Sequence, residues 1–401
     1  MRWQAVAAVV LAATAACPLS AQDDPIFDAR WESLRAGGYE PLTIPVDWYD
    51  PVARVEGNPT LPRTIGATQA GLSPAAIAAA SAWAEAQNST ALLVARNGDI
   101  AFERYWQSTG RDTRFNPQSM SKTVLAMLVG IAIERGVIAS VNDPIERYLE
   151  EWRGDERGQI TLQHMLWMSS GLEQGDASHG YMVTPDNPIV RHSLGSDFTK
   201  LLLSLQPVGE PGGTFDYNNQ VNQLLSLVLE RASGREYEDL LSEWLWLPLG
   251  LADAALPLDR EGGMVLSSCC ILSRPIDWLR IGALFVTGGR HAGKQIVPER
   301  WIAAMLEPSP AFPGYGYQVW VGDQRVGGDR PPKVPLMPWQ SEPFAAPQVV
   351  ILHGHGGQRT YIMPDKQLVI VRAARDWPDA WDDAVLPNVI WRGATEHGES
   401  E

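Results

Sequence analysis

Between Lys122 and Glu134 the sequence KTVLAMLVGIAIE is apolar on nearly every face, and it halts at Gly136. A surface helix would keep one polar face, so this pattern predicts a buried helix ended by a glycine. Upstream, SPAAIAAASAWAEAQ over Ser73 to Gln87 is alanine-rich behind a Ser-Pro start, which predicts a second helix. ALLVARNGDIAFERYW follows over Ala91 to Trp106. Its two strand-like runs flank Asn97-Gly98, the dipeptide best suited to a tight hairpin.

From Val141 to Leu251 short helical patterns succeed one another: DPIERYLEEW, LQHMLWM, DFTKLLLSL, NQLLSLVLERASG and YEDLLSEWLWLPLG. Strands return in QVVILHG, QRTYIMP and KQLVIVRAA, with Pro364-Asp365 as the turn between the last two. AWDDAVLPNVIW is amphipathic and reads as a closing helix despite Pro387. The order of strands, many helices and strands again predicts an α+β fold. In it the first and last parts share one antiparallel sheet flanked by helices, with a mostly helical lobe inserted at about residues 116–264. Residues 22–64 are rich in Pro, Trp and charge without a sustained period, and read as an extended N-terminal arm. Residues 65–401 read as the folded domain.

Size and composition support this. A chain of 401 residues with 45% hydrophobic and 20% charged content can bury a large core. The formal net charge of -15 argues against nucleic acid or an anionic membrane as a partner, since a phosphate backbone needs a basic face. The first residues, MRWQAVAAVVLAATAACPLSAQDD, carry one Arg, an apolar run too short to span a bilayer, and small residues before an acidic start. This reads as a secretory leader cleaved after Ala21, so the protein is expected to be exported, periplasmic or secreted. The stretch ending at Cys17 also resembles an imperfect lipoprotein box, which leaves a lipid-anchored form open. No later stretch is long and apolar enough for a transmembrane helix. Of the 3 cysteines, Cys17 lies in the leader; Cys269 and Cys270 are adjacent and have no other partner, so no disulfide framework and no Cys-x-x-Cys metal site is expected.

The candidate chemistry begins at NPQSMSKTVLAM. Of the five lysines, only Lys122 has a Ser three positions upstream, Ser119. Such a pair arises easily by chance, and a capped helix start with a solvated lysine would explain it. At i and i+3, however, the two share a helix face at a positive dipole end with free N–H groups. An ammonium held near a buried helix start is easily desolvated, which lowers its pKa and suits it to serve as a base.

Two further motifs follow in order: PGGTFDYNNQVNQLL, with Tyr217-Asn218-Asn219, and HGHGGQRTYIMP, with His355-Gly356-Gly357. Together Ser-x-x-Lys, Tyr-x-Asn and His-x-Gly resemble the three active-site motifs of the serine β-lactamase and penicillin-binding-protein superfamily. No Ser-Asp-Asn is present, and Tyr-x-Asn is similar to the class C-like branch, with its esterases, D-amino-acid peptidases and aminohexanoate-oligomer hydrolases. Segments such as GVIASVNDPIERYLEEW, HMLWMSSGL and YGYQVW extend the likeness over roughly Leu92 to Trp377.

The resemblance implies a β-lactamase/DD-peptidase-like fold and an acyl-enzyme. It makes Ser119 the nucleophile and Lys122 with Tyr217 the acid/base pair. It places the oxyanion at the N–H groups of Ser119 and Gln358, with Gly357 letting the strand edge approach. Asn219 would bond the substrate amide or Lys122, or cap the helix that follows. His355 stands where relatives carry Lys; a largely neutral imidazole favours esters or simple amides over β-lactams. The expected partner is therefore a small ester, amide or peptide-like substrate. No cofactor is implied. A metal reading of His353 and His355 lacks a further ligand at suitable spacing. Among the 16 tryptophans, Trp167, Trp320 and Trp339 are candidates to line an apolar cleft. The rival readings are a true class C-like β-lactamase or D-alanyl carboxypeptidase, and a non-catalytic penicillin sensor or degenerate homologue.

Overall fold

The computed structural model describes residues 24–39, 44–173, 184–323, 325–327, 337–375, 378 and 380–395. The leader read at 1–21 lies outside them. The arm opens with helix α1 (Pro25–Ala36), where the sequence pattern predicted extended chain. Asp24 accepts the Phe27 N–H at 2.9 Å and Pro25 occupies the first turn. Phe27 and Leu34 bury against Val190 and Leu194, so tertiary contact rather than a strong period holds this helix. Strand β1 (Val52–Val55) follows, with alternate positions buried.

Helix α2 (Pro74–Ala86) starts at Ser73, whose hydroxyl accepts from Ala76 N–H. Strands β2 (Ser89–Arg96) and β3 (Asp99–Tyr105) form the hairpin, turning where Asn97 and Gly98 have φ of 54° and 81°. Helix α3 (Ser121–Glu134) is buried along most of its length. The middle section holds α4 (Leu162–Leu166), α5 (Pro188–Leu194), α6 (Phe198–Leu203), α7 (Asn219–Ser233) and α8 (Tyr237–Leu241). Strand β4 (Ala254–Pro257) then pairs with β1, tying the arm to the helical section.

Helix α9 (Pro275–Val286) has no counterpart among the elements expected from the sequence. After it come a short hairpin, β5 (Arg290–His291) and β6 (Lys294–Gln295), then α10 (Glu299–Leu306). Strand β7 (Trp320–Val321) and a small parallel pair, β8 (Arg325–Val326) with β9 (Trp339–Gln340), lead to β10 (Val350–Gly354). The chain ends with β11 (Gln358–Met363), β12 (Leu368–Ala374) and α11 (Val385–Arg392). Pro387 falls in the first turn of α11, where its missing N–H has no intrahelical acceptor to lose.

The main sheet runs β3-β2-β12-β11-β10-β7, antiparallel throughout, so strands from both ends of the chain do share one sheet. α9 packs on one face, and α2 with α11 on the other. β2 is buried at every position: Leu93 and Ala95 join the core shared with α3, α7 and α9, while Leu92 and Val94 join the core under α2 and α11. The start of α3 lies against the β10 end of this sheet, between it and the helical section.

Candidate active site

The segment before α3 is shaped to present one hydroxyl. Asn116 Oδ1 accepts the Gln118 N–H at 2.9 Å, and Gln118 itself adopts φ 54°, uncommon for a residue with a side chain. Residues Gln118–Met120 make a tight 3₁₀ turn that runs into α3. Gln118 and Met120 are buried, whereas Ser119 between them remains partly accessible. Behind the turn, β10 ends at Gly354. A Cβ there would stand 2.2 Å from the Pro117 carbonyl, so only glycine lets the sheet edge come this close.

One helical turn on, Lys122 Nζ lies 2.8 Å from Ser119 Oγ and donates to the Ser268 carbonyl at 2.6 Å. The side chain is 1% exposed, and burial pulls its pKa from the ordinary lysine value down to about 7. No carboxylate pairs with it among the described residues. Beyond Ser268 stands His192, buried, with Nε2 3.1 Å from the Ser268 hydroxyl. Burial and then the neighbouring Lys122 charge push this imidazole down to about 3, so it is neutral at ordinary pH.

Tyr217 brings the second motif over this pair. Asp216 N–H donates to the Met168 carbonyl, and Asn218 N–H points at the Met168 sulfur. The Tyr217 ring stacks on Trp320 at 5.6 Å and meets Tyr315 edge-on at 6.1 Å. Lys122 Nζ is 5.3 Å from its centroid. Of the tryptophans singled out in the sequence, Trp320 thus packs directly against a motif residue. Trp167 meets Tyr317 in a tilted contact, and Trp339 Nε1 donates to the Gly327 carbonyl.

The helix cap expected of Asn219 belongs to Asn218. Asn218 keeps extended dihedrals, and its Oδ1 accepts from Gln220 and Val221 N–H. The chain becomes helical one residue later, so Asn219 is the first helical residue and cannot cap. Its Oδ1 is buried without a hydrogen-bond partner among the described residues.

The third motif forms a tight turn, His355–Gly357, between β10 and β11. Gly356 and Gly357 have φ of 69° and 77°. Gln358 N–H donates back to the His355 carbonyl, so this expected oxyanion donor closes the turn in the structure shown. The Gln358 side chain faces away, exchanging two bonds with the Ala374 backbone. His355 is half-buried and lines a cavity of ≈ 770 Å³. That cavity is also bounded by Gln118 and Gln358 of the site, by Thr90 and Tyr105 of the sheet, and by Val46 of the arm. His353 lies in β10 and is buried, whereas His355 lies beyond the strand end, so the two do not form a His-x-His pair on one strand face. Among the described residues no cluster of three His, Cys, Asp or Glu side chains is placed to hold a metal ion.

A buried charge cluster fixes this turn, and sequence reasoning missed it. Arg359 and Arg372 are register partners on β11 and β12, and both are wholly buried. Arg359 donates to the Gly354 and Gln358 carbonyls and pairs with Asp383 at 2.6 Å. Arg372 donates to the Gly356 carbonyl at 2.9 Å, to Ser89 Oγ and to the Gln87 carbonyl. Burial, then repulsion from Arg359, lowers the Arg372 pKa to about 9. Asp383 also accepts from Tyr361, Trp381 and the Trp339 N–H. The alternation in QRTYIM could have shown that Arg359 faces the same side as Tyr361. Nothing local marked Asp383.

A family model described as Beta-lactamase matches residues 76–395. The chain belongs to the beta-lactamase family. Within it, this beta-lactamase-family protein is 26% identical over 230 residues to the 6-aminohexanoate-dimer hydrolase of Paenarthrobacter ureafaciens, covering 54% of this chain and 56% of that one. It is 26% identical over 170 residues to penicillin-binding protein 4* of Bacillus subtilis strain 168, covering 40% and 36%. The chain thus spans little more than half the length of these relatives, or less. Among solved structures it is similar to EstCE1, a hydrolase with promiscuous acyltransferase activity, at TM-score 0.57 and 18% identity over 79% of this chain and 97% of that one. The fold is that of the β-lactamase and penicillin-binding-protein hydrolases.

The structural findings therefore bring Ser119, Lys122 and Tyr217 together with the His355–Gln358 turn at one end of the sheet. They add Ser268 and His192 beside Lys122, and Arg359, Arg372 and Asp383 beneath the turn.

Proposed function

We propose that this protein is an exported serine hydrolase that cleaves an ester or amide through an acyl-enzyme on Ser119. The observation that carries the reading is a buried lysine, with its pKa drawn down to about 7, lying 2.8 Å from a partly accessible serine hydroxyl. Neutral Lys122 takes the Ser119 proton as Oγ attacks the carbonyl carbon, and the tetrahedral oxyanion forms near the Ser119 N–H. Gln358 N–H joins it by exchanging its turn bond for the oxyanion. The hydroxyl of Tyr217, whose ring centroid lies 5.3 Å from Lys122 Nζ, relays the proton to the leaving group. Water then attacks the acyl carbon by the reverse path. Asn219 Oδ1, buried and unpartnered, suits the substrate amide N–H.

His355 supports esters and simple amides over β-lactams, since an imidazole lacks the permanent charge with which a lysine attracts a carboxylate. The names of the 6-aminohexanoate-dimer hydrolase and of EstCE1 agree with that class. The likeness to penicillin-binding protein 4* keeps β-lactam or D-alanyl peptide chemistry as the competing activity. The apolar leader at 1–21 supports export; signal-peptide cleavage at Ala21, read by N-terminal sequencing of secreted protein, tests it.

The function is tested with a fluorophosphonate probe and a panel of short-chain nitrophenyl esters, linear amides and nitrocefin. The probe should label the Ser119 peptide, and Ser119→Ala should lose both labelling and turnover while keeping its melting temperature. Ester kcat/KM should exceed that for nitrocefin by at least about tenfold, roughly 1.4 kcal/mol in barrier. Efficient nitrocefin hydrolysis with poor ester turnover would establish the β-lactamase reading instead. An adduct on Ser121 or Ser267 would overturn the nucleophile.

A further inference from the structure

The segment Ser267–Ile271 belongs to none of the three motifs, yet it clasps the nucleophile turn from several sides. Ser268 supplies the carbonyl that holds Lys122 Nζ. Ile271 N–H donates to Ser121 Oγ at 3.2 Å. Cys270 Sγ lies 3.4 Å from Asn116 Nδ2, and the Oδ1 of that same amide sets Gln118 ahead of Ser119. The segment is itself anchored from α7, where Gln223 Oε1 accepts from Ser267 N–H at 2.9 Å and Ser268 N–H at 3.3 Å. Inside it, Cys269 and Cys270, adjacent and expected to build no disulfide framework, are joined to each other by a disulfide. Cys270 has φ 77°, a conformation that a residue with a side chain rarely adopts unless it is held there. The ring spans the two residues that separate the Ser268 carbonyl from the Ile271 amide.

We propose that the Cys269–Cys270 disulfide is a positioning element that keeps Lys122 and Ser119 in register, so that turnover depends on its oxidation state. The proposal rests on the acyl-serine reading of the site. Cys269 is half-buried and Cys270 fully buried, so an incoming thiolate meets the Cys269 sulfur first. One thiolate of a dithiol attacks Cys269 Sγ, and Cys270 Sγ leaves and takes up a proton. The second thiol of the reductant attacks the mixed disulfide. It releases the Cys269 thiol, and the reductant departs as its own disulfide. With the ring open, Cys270 can leave its left-handed conformation, and the Ser268 carbonyl is free to move off Lys122. Ser119 then loses the base placed beside it.

The experiment uses the full mature chain and dithiothreitol. It measures the rate of fluorophosphonate labelling, and kcat and KM for a nitrophenyl ester, before reduction, after reduction and after reoxidation. Alkylation followed by mass spectrometry of the Cys269–Cys270 peptide reports the ring. Opening the ring should lower labelling and kcat by at least about fivefold, change KM by less than about twofold, and be reversed by reoxidation. The double variant Cys269→Ser with Cys270→Ser should start at the low rate and ignore dithiothreitol. If that variant does not fold, the reversible loss in the wild-type chain decides the matter alone. Labelling that is unchanged in fully alkylatable protein overturns this proposal only. Absence of labelling in the oxidised protein overturns the acyl-serine reading and the proposal with it.

Discussion

Lys122 carries its charge in the unfolded chain but is buried in the folded one, with a serine hydroxyl and a backbone carbonyl as its hydrogen-bond acceptors among the described residues. Its ordinary value of 10.5 falls to about 7 through burial. Between these two values the unfolded chain binds a proton that the folded chain lacks, so stability rises with pH across that window. The stability of the wild type relative to Lys122→Met should therefore grow from pH 7 to 10, by up to about 1.4 kcal/mol per unit, as measured by urea titrations at each pH. Below pH 7 the difference should level off. On the proposed mechanism the same group would set the acid limb of activity. Ester kcat/KM should climb as pH passes through about 7, because only neutral Lys122 can accept the Ser119 proton. A flat profile from pH 5.5 to 8 would remove Lys122 as the base.

The elements around the pair show what spacing can and cannot reveal. Ser119 and Lys122 could be read because i and i+3 always share a helix face, and Asn97-Gly98 because few dipeptides tolerate that turn. The Asn218 and Asn219 roles could not be separated, since a cap depends on which residue last keeps extended dihedrals, a matter of one position. The α1 helix escaped notice because its buried residues answer to partners far away in the sequence, Val190 and Leu194. For the same reason Ser268, His192 and Gln223 carried no local sign of their nearness to Lys122. At this scale the approach of β10 to the nucleophile turn is the most exacting contact. Gly354→Ala would place a methyl 2.2 Å from the Pro117 carbonyl, where backbone rather than a flexible side chain must yield. We expect a loss of about 1–3 kcal/mol in thermal or urea unfolding, with a fall in fluorophosphonate labelling larger than that loss alone explains.

Across the whole molecule, Asp383 links the closing segment to the sheet. Burial opposes its charge, yet Arg359 beside it holds its carboxyl below the usual range. Asp383→Asn leaves Arg359 and Arg372 buried on facing strands without an anion. Unfolding should become easier by about 3–5 kcal/mol, read from the urea midpoint, with the third motif loosened as Gly354 and Gly356 lose their firm donors. The replacement of Asp383 by an amide with no change in the urea midpoint would show that other dipoles hold the arginine pair.

The sheet order carries a consequence for how the chain comes off the ribosome. β12 lies between β2 and β11, and its Arg372 reaches Ser89, 283 residues earlier in the chain. A strand made long after β2 is thus an inner strand of the sheet. During synthesis β2 must wait with one pairing edge open until β12 emerges. The Arg372 bond to the Gly356 carbonyl, and with it the firm hold on the His355–Gly357 turn, therefore forms only after β12 has been made.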